Sequence, residues 1–300
     1  MVPRPNPDSS FSHAGRTVEL KAHRCLWSGS YSENSPLAIE ECAREGVVRV
    51  EIDAQLLRDG GFLVFHDDRL DRVTDARGRV RDATAAEATR ARFRDGAHPL
   101  LFAEAVALMA AHEYPKWIEL DLKDFAPYTW PQAEALVRAV QPIKARAHFS
   151  SPADWNLRRL QRVDETILVS LNPHSYIDTE EERKVGLPAG AYGYRDAHPL
   201  ARARDQSTDE YLRDRFGGIM RLVAGVSEAH LRFTMFERML DDGVDPAGIF
   251  HALGIKVDVW TLDAETPRWR ERLARVVAGG VDVVTTNTPR ALAAAGRALS

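Results

Sequence analysis

The segment VRVEIDAQLLRDGGFLVFHD, residues 48–67, decides the fold of this chain. Its first half is an apolar, β-branched run, which is typical of a strand buried on both faces. The run nevertheless carries Glu51 and Asp53, and residues two apart in a strand lie on the same face. Buried carboxylates are costly unless they are paired, hydrogen-bonded or bound to a metal ion. The segment therefore predicts a buried strand whose acidic face meets a partner from elsewhere in the chain.

Short apolar strands alternate with amphipathic helices on both sides of this segment. Strands are predicted at residues 18–24, 47–54, 116–123, 146–150, 166–172, 229–235, 256–263 and 281–287. Helical segments are predicted at residues 36–46, 100–113, 130–140 and 267–280. This alternation indicates an α/β protein, and eight strands favour a closed (β/α)8 TIM barrel over a doubly wound sheet. No G-x-G-x-x-G motif follows an early strand to support a dinucleotide-binding fold.

Two polar stretches are too long for ordinary loops between a strand and a helix. Residues 67–99 and 172–218 are predicted to be insertions at the barrel rim, where long loops commonly carry function. Residues 17–300 are accordingly assigned to one barrel domain. The polar, proline- and serine-rich residues 1–16 are expected to form a flexible N-terminal tail.

Composition argues against several classes of protein. The net charge is −4 and the charges are mixed along the chain, so no electrostatic footprint for nucleic acid is visible. Two cysteines are too few for a disulfide framework or a thiolate metal site. Neither a signal-peptide core nor a run of roughly 18 apolar residues is present. We therefore expect a cytoplasmic protein with no transmembrane segment and an oligomeric state that the sequence leaves open.

Side chains able to do chemistry gather at the predicted carboxyl ends of the strands, which meet at one face of a barrel. The candidates are His23, Arg24, Glu51, Asp53, His66, Glu119, Asp121, Lys123, Trp260 and Asn287. Each also has an ordinary structural interpretation, such as a salt-bridged acid or a core tryptophan. Their convergence on one face favours a functional site. Among the other histidines, His148 is placed where it could reach this face, whereas His174 and His230 are given no role.

The acids of the second and third predicted strands would repel one another at the barrel mouth. Alternation places Glu119, Asp121 and Lys123 on one face of the third strand. A hard divalent cation would offset the repulsion between these acids and the pair on the second strand. Because the ligand atoms are all oxygens, the pattern predicts one Mg²⁺ or Ca²⁺ rather than zinc.

Together these motifs resemble the glycerophosphodiester phosphodiesterase family, which shares its barrel with the sphingomyelinase D-like phospholipases. The matching stretches are AHR (22–24), ENSPLAIEECAREG (33–46), VEIDAQLLRDGGFLVFHDDRLDRVTD (50–75), LDLK (120–123), VDVWTLD (257–263) and GVDVVTTNTP (280–289). The resemblance implies metal-dependent hydrolysis of a small-molecule glycerophosphodiester to sn-glycerol 3-phosphate and an alcohol. The neighbouring glycerol hydroxyl is then expected to attack first, and water to open the resulting cyclic phosphate.

The resemblance also implies a role for each matching residue. His23 and His66 correspond to the general acid/base pair. Arg24 and Lys123 correspond to the groups that hold the phosphodiester oxygens, a task suited to a guanidinium fork and an ammonium. Trp260 is assigned as a substrate contact from its place at the end of the seventh predicted strand, not from the resemblance.

The implied metal ligands are Glu51, Asp53 and an acid of the third strand. Asp121 is preferred over Glu119 as the third ligand, because it lies nearer the strand end and two residues before Lys123.

Three positions depart from the usual family pattern and leave other activities open. Cys25 follows His-Arg where glycine is usual, Asp121 stands in place of glutamate, and Asn287 stands in place of aspartate. The last two are closer to the sphingomyelinase D-like branch. The alternatives are a phospholipase D-like or lyase activity on a lysophospholipid, sphingolipid or sugar phosphodiester, and, less favoured, a barrel that binds a phosphodiester without turning it over.

The headgroup of the substrate is a separate question. Trp27, Tyr31 and Trp260 could form an aromatic wall for a quaternary ammonium such as choline. They could equally pack the loop and the core.

Overall fold

The computed structural model describes residues 4–177 and 206–299. Within them, eight parallel strands form a closed barrel. The strands are β1 (Arg16–Ala22), β2 (Arg49–Leu56), β3 (Trp117–Leu122), β4 (Ala147–Ser151), β5 (Leu168–Leu171), β6 (Val226–Arg232), β7 (Lys256–Trp260) and β8 (Val283–Thr286). Each strand pairs with the next, and β8 pairs with β1. The predicted TIM barrel is confirmed.

Helices cover the outside of the barrel. They are Pro36–Arg44, Ala85–Ala88, Phe102–Ala110, Trp130–Val140, Asp154–Val163, His174–Ile177, Thr208–Met220, Phe233–Asp241, Pro246–His251, Trp269–Ala278 and Pro289–Arg297. The first begins at a sequence-encoded cap: the Ser35 side chain accepts a hydrogen bond from the Ala38 N–H, and Pro36 occupies the first helical position. Along the described chain, no helix combines the length and the apolar character that a membrane span requires.

The two faces of each barrel strand differ sharply in polarity. Val50 and Ile52 on β2 belong to the apolar layer under the helices and are fully buried. The inward positions instead carry ions, among them Lys21, Glu119 and Glu228, which contact one another inside the cylinder. Branched apolar side chains usually fill this space in TIM barrels. Here the interior below the mouth is a network of buried charges.

Residues 67–99 form a compact unit on the rim at the carboxyl end of β2. The short strand Phe62–Leu63 pairs antiparallel with the end of β2 and leads into it. Its small apolar core consists of Leu57, Leu63, Phe65, Leu70, Val80, Ala88 and Phe93. The second expected insertion, residues 172–218, falls largely outside the described residues. The described end of that range belongs to Thr208–Met220, the helix that leads into β6.

The N-terminal segment differs from the expected flexible tail over residues 1–16. Residues 10–13 form a strand that pairs antiparallel with the start of β1. Its single apolar side chain, Phe11, is buried against Gly296, where a Cβ atom would lie 2.4 Å from the phenyl ring. A strand of four residues with one apolar side chain has too short a pattern to be recognised in the sequence.

The sixth strand lies three residues earlier than the predicted range 229–235. β6 ends at Arg232, and a helix begins immediately at Phe233. Met235, Phe236 and Met239 are buried at helical spacing, so the apolar run belongs to the helix rather than to the strand. The shift matters because it brings Glu228 and His230 into the barrel interior.

Candidate active site

A cavity of about 390 Å³ opens at the carboxyl end of the barrel. Among the sequence-predicted residues, those lining it are His23, Arg24, Glu51, His66, Glu119, Asp121, Lys123 and Trp260. Its wall also contains His174, His230, Arg232, Asp258 and Thr285, which the sequence did not single out. The strand ends therefore bring nearly all the predicted groups to one space, and Asp53 is fully buried beside it.

Three carboxylates meet at this mouth. Asp53 and Asp121 are direct neighbours in the register of β2 and β3, and an oxygen of each lies within 4.8 Å of an oxygen of Glu51. Glu51 accepts a hydrogen bond of 2.7 Å from the backbone N–H of Arg24. Asp53 accepts one of 2.6 Å from the side-chain amide of Asn34. These bonds orient two of the carboxylates but leave part of the negative charge uncompensated.

The charge balance of the three carboxylates suits a divalent cation. Lys123 Nζ lies 2.8 Å from Asp53 and 2.5 Å from Asp121, and Arg24 Nε lies 3.6 Å from Asp53, so these two cations contact the aspartates, and Glu51 has no lysine or arginine partner among the described residues. Glu51 Oε1 is buried and has no hydrogen-bond partner among the described residues. Burial and the charge of Asp53 raise the pKa of Glu51 well above its usual range. An all-oxygen ligand set that includes a buried, unpartnered carboxylate oxygen fits Mg²⁺ or Ca²⁺.

Glu119, the alternative third ligand, contacts residues of the barrel interior below the three-carboxylate cluster. It lies one step deeper on β3, opposite Glu51 in the register. Its carboxylate pairs with Lys21, lies 3.1 Å from His230 Nδ1 and accepts a hydrogen bond of 2.7 Å from Ser150. Asp121, rather than Glu119, therefore has an oxygen within 4.8 Å of oxygens of both Glu51 and Asp53.

His23 begins the turn that follows β1. Its Nδ1–H donates a hydrogen bond of 2.9 Å to the Asn287 side-chain oxygen, and the Asn287 amide donates one of 2.7 Å to Asp263. The second contact fixes the orientation of the amide, so Nδ1 carries the proton and Nε2 is left as an acceptor. Nε2 lies 3.9 Å from Glu51. Burial and the charge of Arg24 lower the pKa of His23 to about 3.

His66 enters the cavity from the segment after the strand Phe62–Leu63. Its Nδ1–H donates a hydrogen bond of 2.7 Å to Asp67, which again leaves Nε2 as the acceptor. Burial lowers the pKa of His66. The site thus contains two imidazoles held in defined tautomers, each able to accept a proton.

Of the two arrangements considered for Trp27, Tyr31 and Trp260, packing into the core is the one found for Trp27 and Tyr31. Trp27 is 4% exposed and packs in the main core, and Tyr31 packs against the same core, so neither lines the cavity. Of these three aromatic residues, Trp260 lines the cavity. The Arg232 guanidinium lies 5.1 Å from its ring centroid, and the centroid of the His174 ring lies 5.3 Å away. Trp27 and Tyr31 belong to a loop that folds inward, because its aromatic side chains bury more apolar area there than at the rim.

Below the mouth lies the ion network that the sequence did not reveal. Lys21 is fully buried, and its ammonium pairs with Glu119, with Glu228 at 2.8 Å and with Asp258 at 2.7 Å. Burial opposes the charge on His230, but Glu119 and then Glu228 raise its pKa to about 10. One signal was available in the sequence: Lys21 lies two residues before His23 and therefore on the same strand face.

The network is balanced without a metal ion. Glu119, His148, Glu228 and His230 offer ligand atoms within 4.8 Å of one another. The three interior carboxylates face three cations, namely Lys21, Arg49 and protonated His230. His148, whose pKa burial lowers to about 3, adds no charge. A further cation would therefore leave an excess of positive charge in a buried space.

Residues 23–291 match the sequence profile of the glycerophosphoryl diester phosphodiesterase family. The chain belongs to this family. The match begins at His23, includes the acids of β2 and β3, and extends beyond Asn287. The resemblance inferred from the motifs is confirmed, and the family is named for the hydrolysis of phosphoric diesters.

Relatives and neighbours in the family agree in name and fold. A glycerophosphodiester phosphodiesterase of Bacillus altitudinis is 32% identical over 132 residues, which cover 40% of this chain and 51% of that protein. A phosphodiesterase of Oleispira antarctica, solved with the product sn-glycerol-3-phosphate, is 19% identical with a TM-score of 0.59, over 92% of this chain and 95% of that one. A glycerophosphodiester phosphodiesterase of Parabacteroides distasonis is 16% identical with a TM-score of 0.62, over 93% and 96% of the two chains. The two structural matches show the shared barrel.

This family member uses a cysteine where the turn after β1 would suit glycine. Arg24 and Cys25 both adopt left-handed backbone conformations, with φ of 55° and 57°. Such a conformation costs a residue with a Cβ atom roughly 1–2 kcal/mol. The Asn34 N–H donates to the Arg24 carbonyl at 2.9 Å, and the Cys42 thiol donates to the Cys25 carbonyl at 3.3 Å. These contacts hold the backbone of the turn.

Proposed function

We propose that the chain is a metal-dependent phosphodiesterase that hydrolyses glycerophosphodiesters to sn-glycerol 3-phosphate and an alcohol. The observation that carries the proposal is the cluster of Glu51, Asp53 and Asp121, whose oxygens lie within 4.8 Å of one another beside the cavity shared by His23 and His66. Family membership supports the reaction class. The product bound to the Oleispira antarctica neighbour supports the substrate class.

Arg24 and Lys123 are proposed to bind the phosphodiester anion. Both line the cavity next to the acidic cluster, and Lys123 is half-buried, with its pKa raised by Asp121 and Asp53 against the effect of desolvation. Its charge is therefore permanent at physiological pH. An Mg²⁺ or Ca²⁺ held by the three carboxylates would add neutralisation of the negative charge that develops on the phosphoryl oxygens. Trp260 is proposed to contact the alcohol part of the substrate.

His23 and His66 are proposed to move the protons. Burial keeps both imidazoles neutral before substrate binds, so either can accept the proton of an attacking hydroxyl at Nε2. The negative charge of a bound phosphodiester favours protonation of the other imidazole, which then donates its proton to the leaving alkoxide. If the neighbouring glycerol hydroxyl attacks first, the two roles reverse when water opens the cyclic phosphate.

A second function, transfer that stops at the cyclic phosphate of a lysophospholipid, is favoured by one contact. Asn287, the residue typical of the sphingomyelinase D-like branch, donates no proton to His23 but accepts one from its Nδ1. An aspartate at this place would instead favour the charged imidazolium. Compared with an aspartate, the neutral amide therefore leaves a smaller fraction of His23 protonated and able to donate a proton in the second, ring-opening step.

The test is a product analysis on purified protein. Glycerophosphocholine, lysophosphatidylcholine and sphingomyelin are incubated with the enzyme, with Mg²⁺, with Ca²⁺ and with chelator, and products are followed by ³¹P NMR. We expect sn-glycerol 3-phosphate from the first substrate and loss of activity with chelator. Glu51→Gln should be inactive, whereas Glu45→Gln, which alters an exposed carboxylate outside the site, should not.

Each product identifies one outcome. Accumulation of a cyclic phosphate without ring opening would replace hydrolysis by the second function. Absence of turnover on every glycerophosphodiester with either ion would refute the proposed activity.

A further inference from the structure

Arg72 lies in the rim insertion, outside the catalytic cavity, and its guanidinium contacts two acids at once. Toward Asp67, Nε and Nη2 form a bidentate pair, with Nη2 at 3.0 Å from Oδ1. Toward Glu33, Nη1 lies 3.0 Å from Oε2 and Nη2 also donates to Oε1. Most surface ion pairs contribute little, but bidentate arginine–carboxylate pairs fix the orientation of both side chains.

The first of these acids holds His66. Asp67 Oδ1 accepts a hydrogen bond of 2.7 Å from His66 Nδ1–H, which aims Nε2 at the cavity. Against the effect of burial, hydrogen bonds from Arg72 and then His66 hold the pKa of Asp67 below its usual value. Asp67 therefore stays an acceptor, and Arg72 fixes the side on which it accepts.

The second acid holds Arg24. Glu33 Oε1 accepts a hydrogen bond of 2.9 Å from Arg24 Nη1. On its other side, Arg24 Nε lies 3.6 Å from Asp53. The Glu33 contact thus holds the Arg24 guanidinium near the proposed phosphate position and limits its approach to Asp53.

We propose that Arg72 is a positioning residue that fixes His66 and Arg24 together, through Asp67 and Glu33. The inference rests on the proposed function of those two groups. A lysine at this position would keep the charge but could not form two bidentate contacts, because its ammonium is a single point donor on a flexible stem. The arrangement therefore requires the planar guanidinium group with its several N–H donors, and a positive charge alone is not enough.

Steady-state kinetics on a glycerophosphodiester test the proposal. We expect Arg72→Gln and Arg72→Lys each to lower kcat by roughly 10- to 100-fold, the scale seen when a hydrogen-bonding partner behind a functional ligand is lost. The matched control is Arg69→Gln, in the same segment, whose side chain is 56% exposed and, among the described residues, pairs with Asp71 at 3.2 Å. Guanidinium ion added to Arg72→Ala should restore part of kcat.

A second measurement does not depend on turnover. Imidazole ¹⁵N NMR should show His66 in the Nδ1–H tautomer in wild type and in Arg69→Gln, and a mixture of tautomers in Arg72→Gln and Arg72→Lys. Full activity and an unchanged tautomer in Arg72→Lys would overturn the proposal, as would equal kcat values for Arg72→Gln and Arg69→Gln. If the wild type turned over no glycerophosphodiester, the proposed function would fail, and the tautomer measurement would still decide the role of Arg72.

Discussion

Replacing Lys21 with methionine should destabilise the fold by about 4 kcal/mol at pH 7. The lysine is fully buried, and its ammonium contacts three carboxylates, those of Glu119, Glu228 and Asp258. Methionine keeps most of the volume of the aliphatic stem. The variant therefore removes the charge while creating little cavity.

The magnitude follows from the charge balance. Without Lys21, the cations that contact the three carboxylates within the described part of the chain are Arg49 and His230, so one negative charge is left unpaired in the interior. The least costly response is to fold with one carboxylic acid protonated. The ordinary pKa of a carboxyl group is near 4, about three units below pH 7. Protonating the carboxylate at pH 7 costs about 1.4 kcal/mol for each of these units. The total, about 4 kcal/mol, agrees with the roughly 3–5 kcal/mol measured for broken buried ion pairs.

Urea unfolding followed by tryptophan fluorescence at pH 5, 6 and 7 tests this reasoning. The folded variant binds one proton more than its unfolded chain, so its deficit relative to wild type should narrow by about 1.4 kcal/mol for each unit of decreasing pH. Lys256→Met, which removes an ammonium with a 57% exposed side chain, is the control and should change stability by less than about 0.5 kcal/mol. A deficit that is equal at pH 5 and pH 7 would refute the charge balance.

Three further predictions concern the metal ligands, the histidines and pH. Mg²⁺ or Ca²⁺ should raise the thermal unfolding midpoint of wild type but not of Glu51→Gln, because only the intact cluster binds the ion; equal shifts in a thermal melt would contradict the assignment. His23→Ala and His66→Ala should each lower kcat by ~10²-fold or more, with the double variant losing less than the product; a wild-type rate for either on all substrates would make that histidine structural. His230, with its pKa raised to about 10, should contribute stability that is complete below about pH 6.5 and lost as pH rises toward 10. The difference in unfolding free energy between wild type and His230→Gln should therefore shrink over that interval, and a constant difference would count against a charged His230.

The barrel was predictable because the apolar runs that indicate strands also carry acidic residues at the two-residue spacing of one strand face. Glu51 and Asp53 interrupt an apolar run at the strand period, which identifies both a strand and its inward face. Lys123 follows Asp121 at the same spacing, so the neighbouring strand could be oriented as well. Local periodicity is enough for these inferences, since each depends on residues within one element.

The remainder depended on contacts between distant elements. The turn into the helix at Phe233 directly follows β6, and no glycine or proline marks the boundary, so the strand was placed too late and His230 lost its role. The bond between His23 and Asn287 joins residues 264 positions apart and has no local signature. Arg72 was one of many arginines in a polar stretch until its two carboxylate partners were located.

The charged interior also restricts how the eight strands can align. Its ions come from β1, β2, β3, β6 and β7, and apart from the His230–Glu228 pair within β6, the ion pairs named above join two strands at one fixed offset. Sliding β1 by one residue would turn Lys21 toward the helices, and sliding it by two would move the ammonium about 7 Å from its partners. Either misalignment would bury an unpaired charge at a cost of several kcal/mol. Apolar side chains tolerate such slippage far better than ions do. The network therefore stabilises one alignment of the eight strands, and hence one shear of the closed barrel, over alignments shifted by one or two residues.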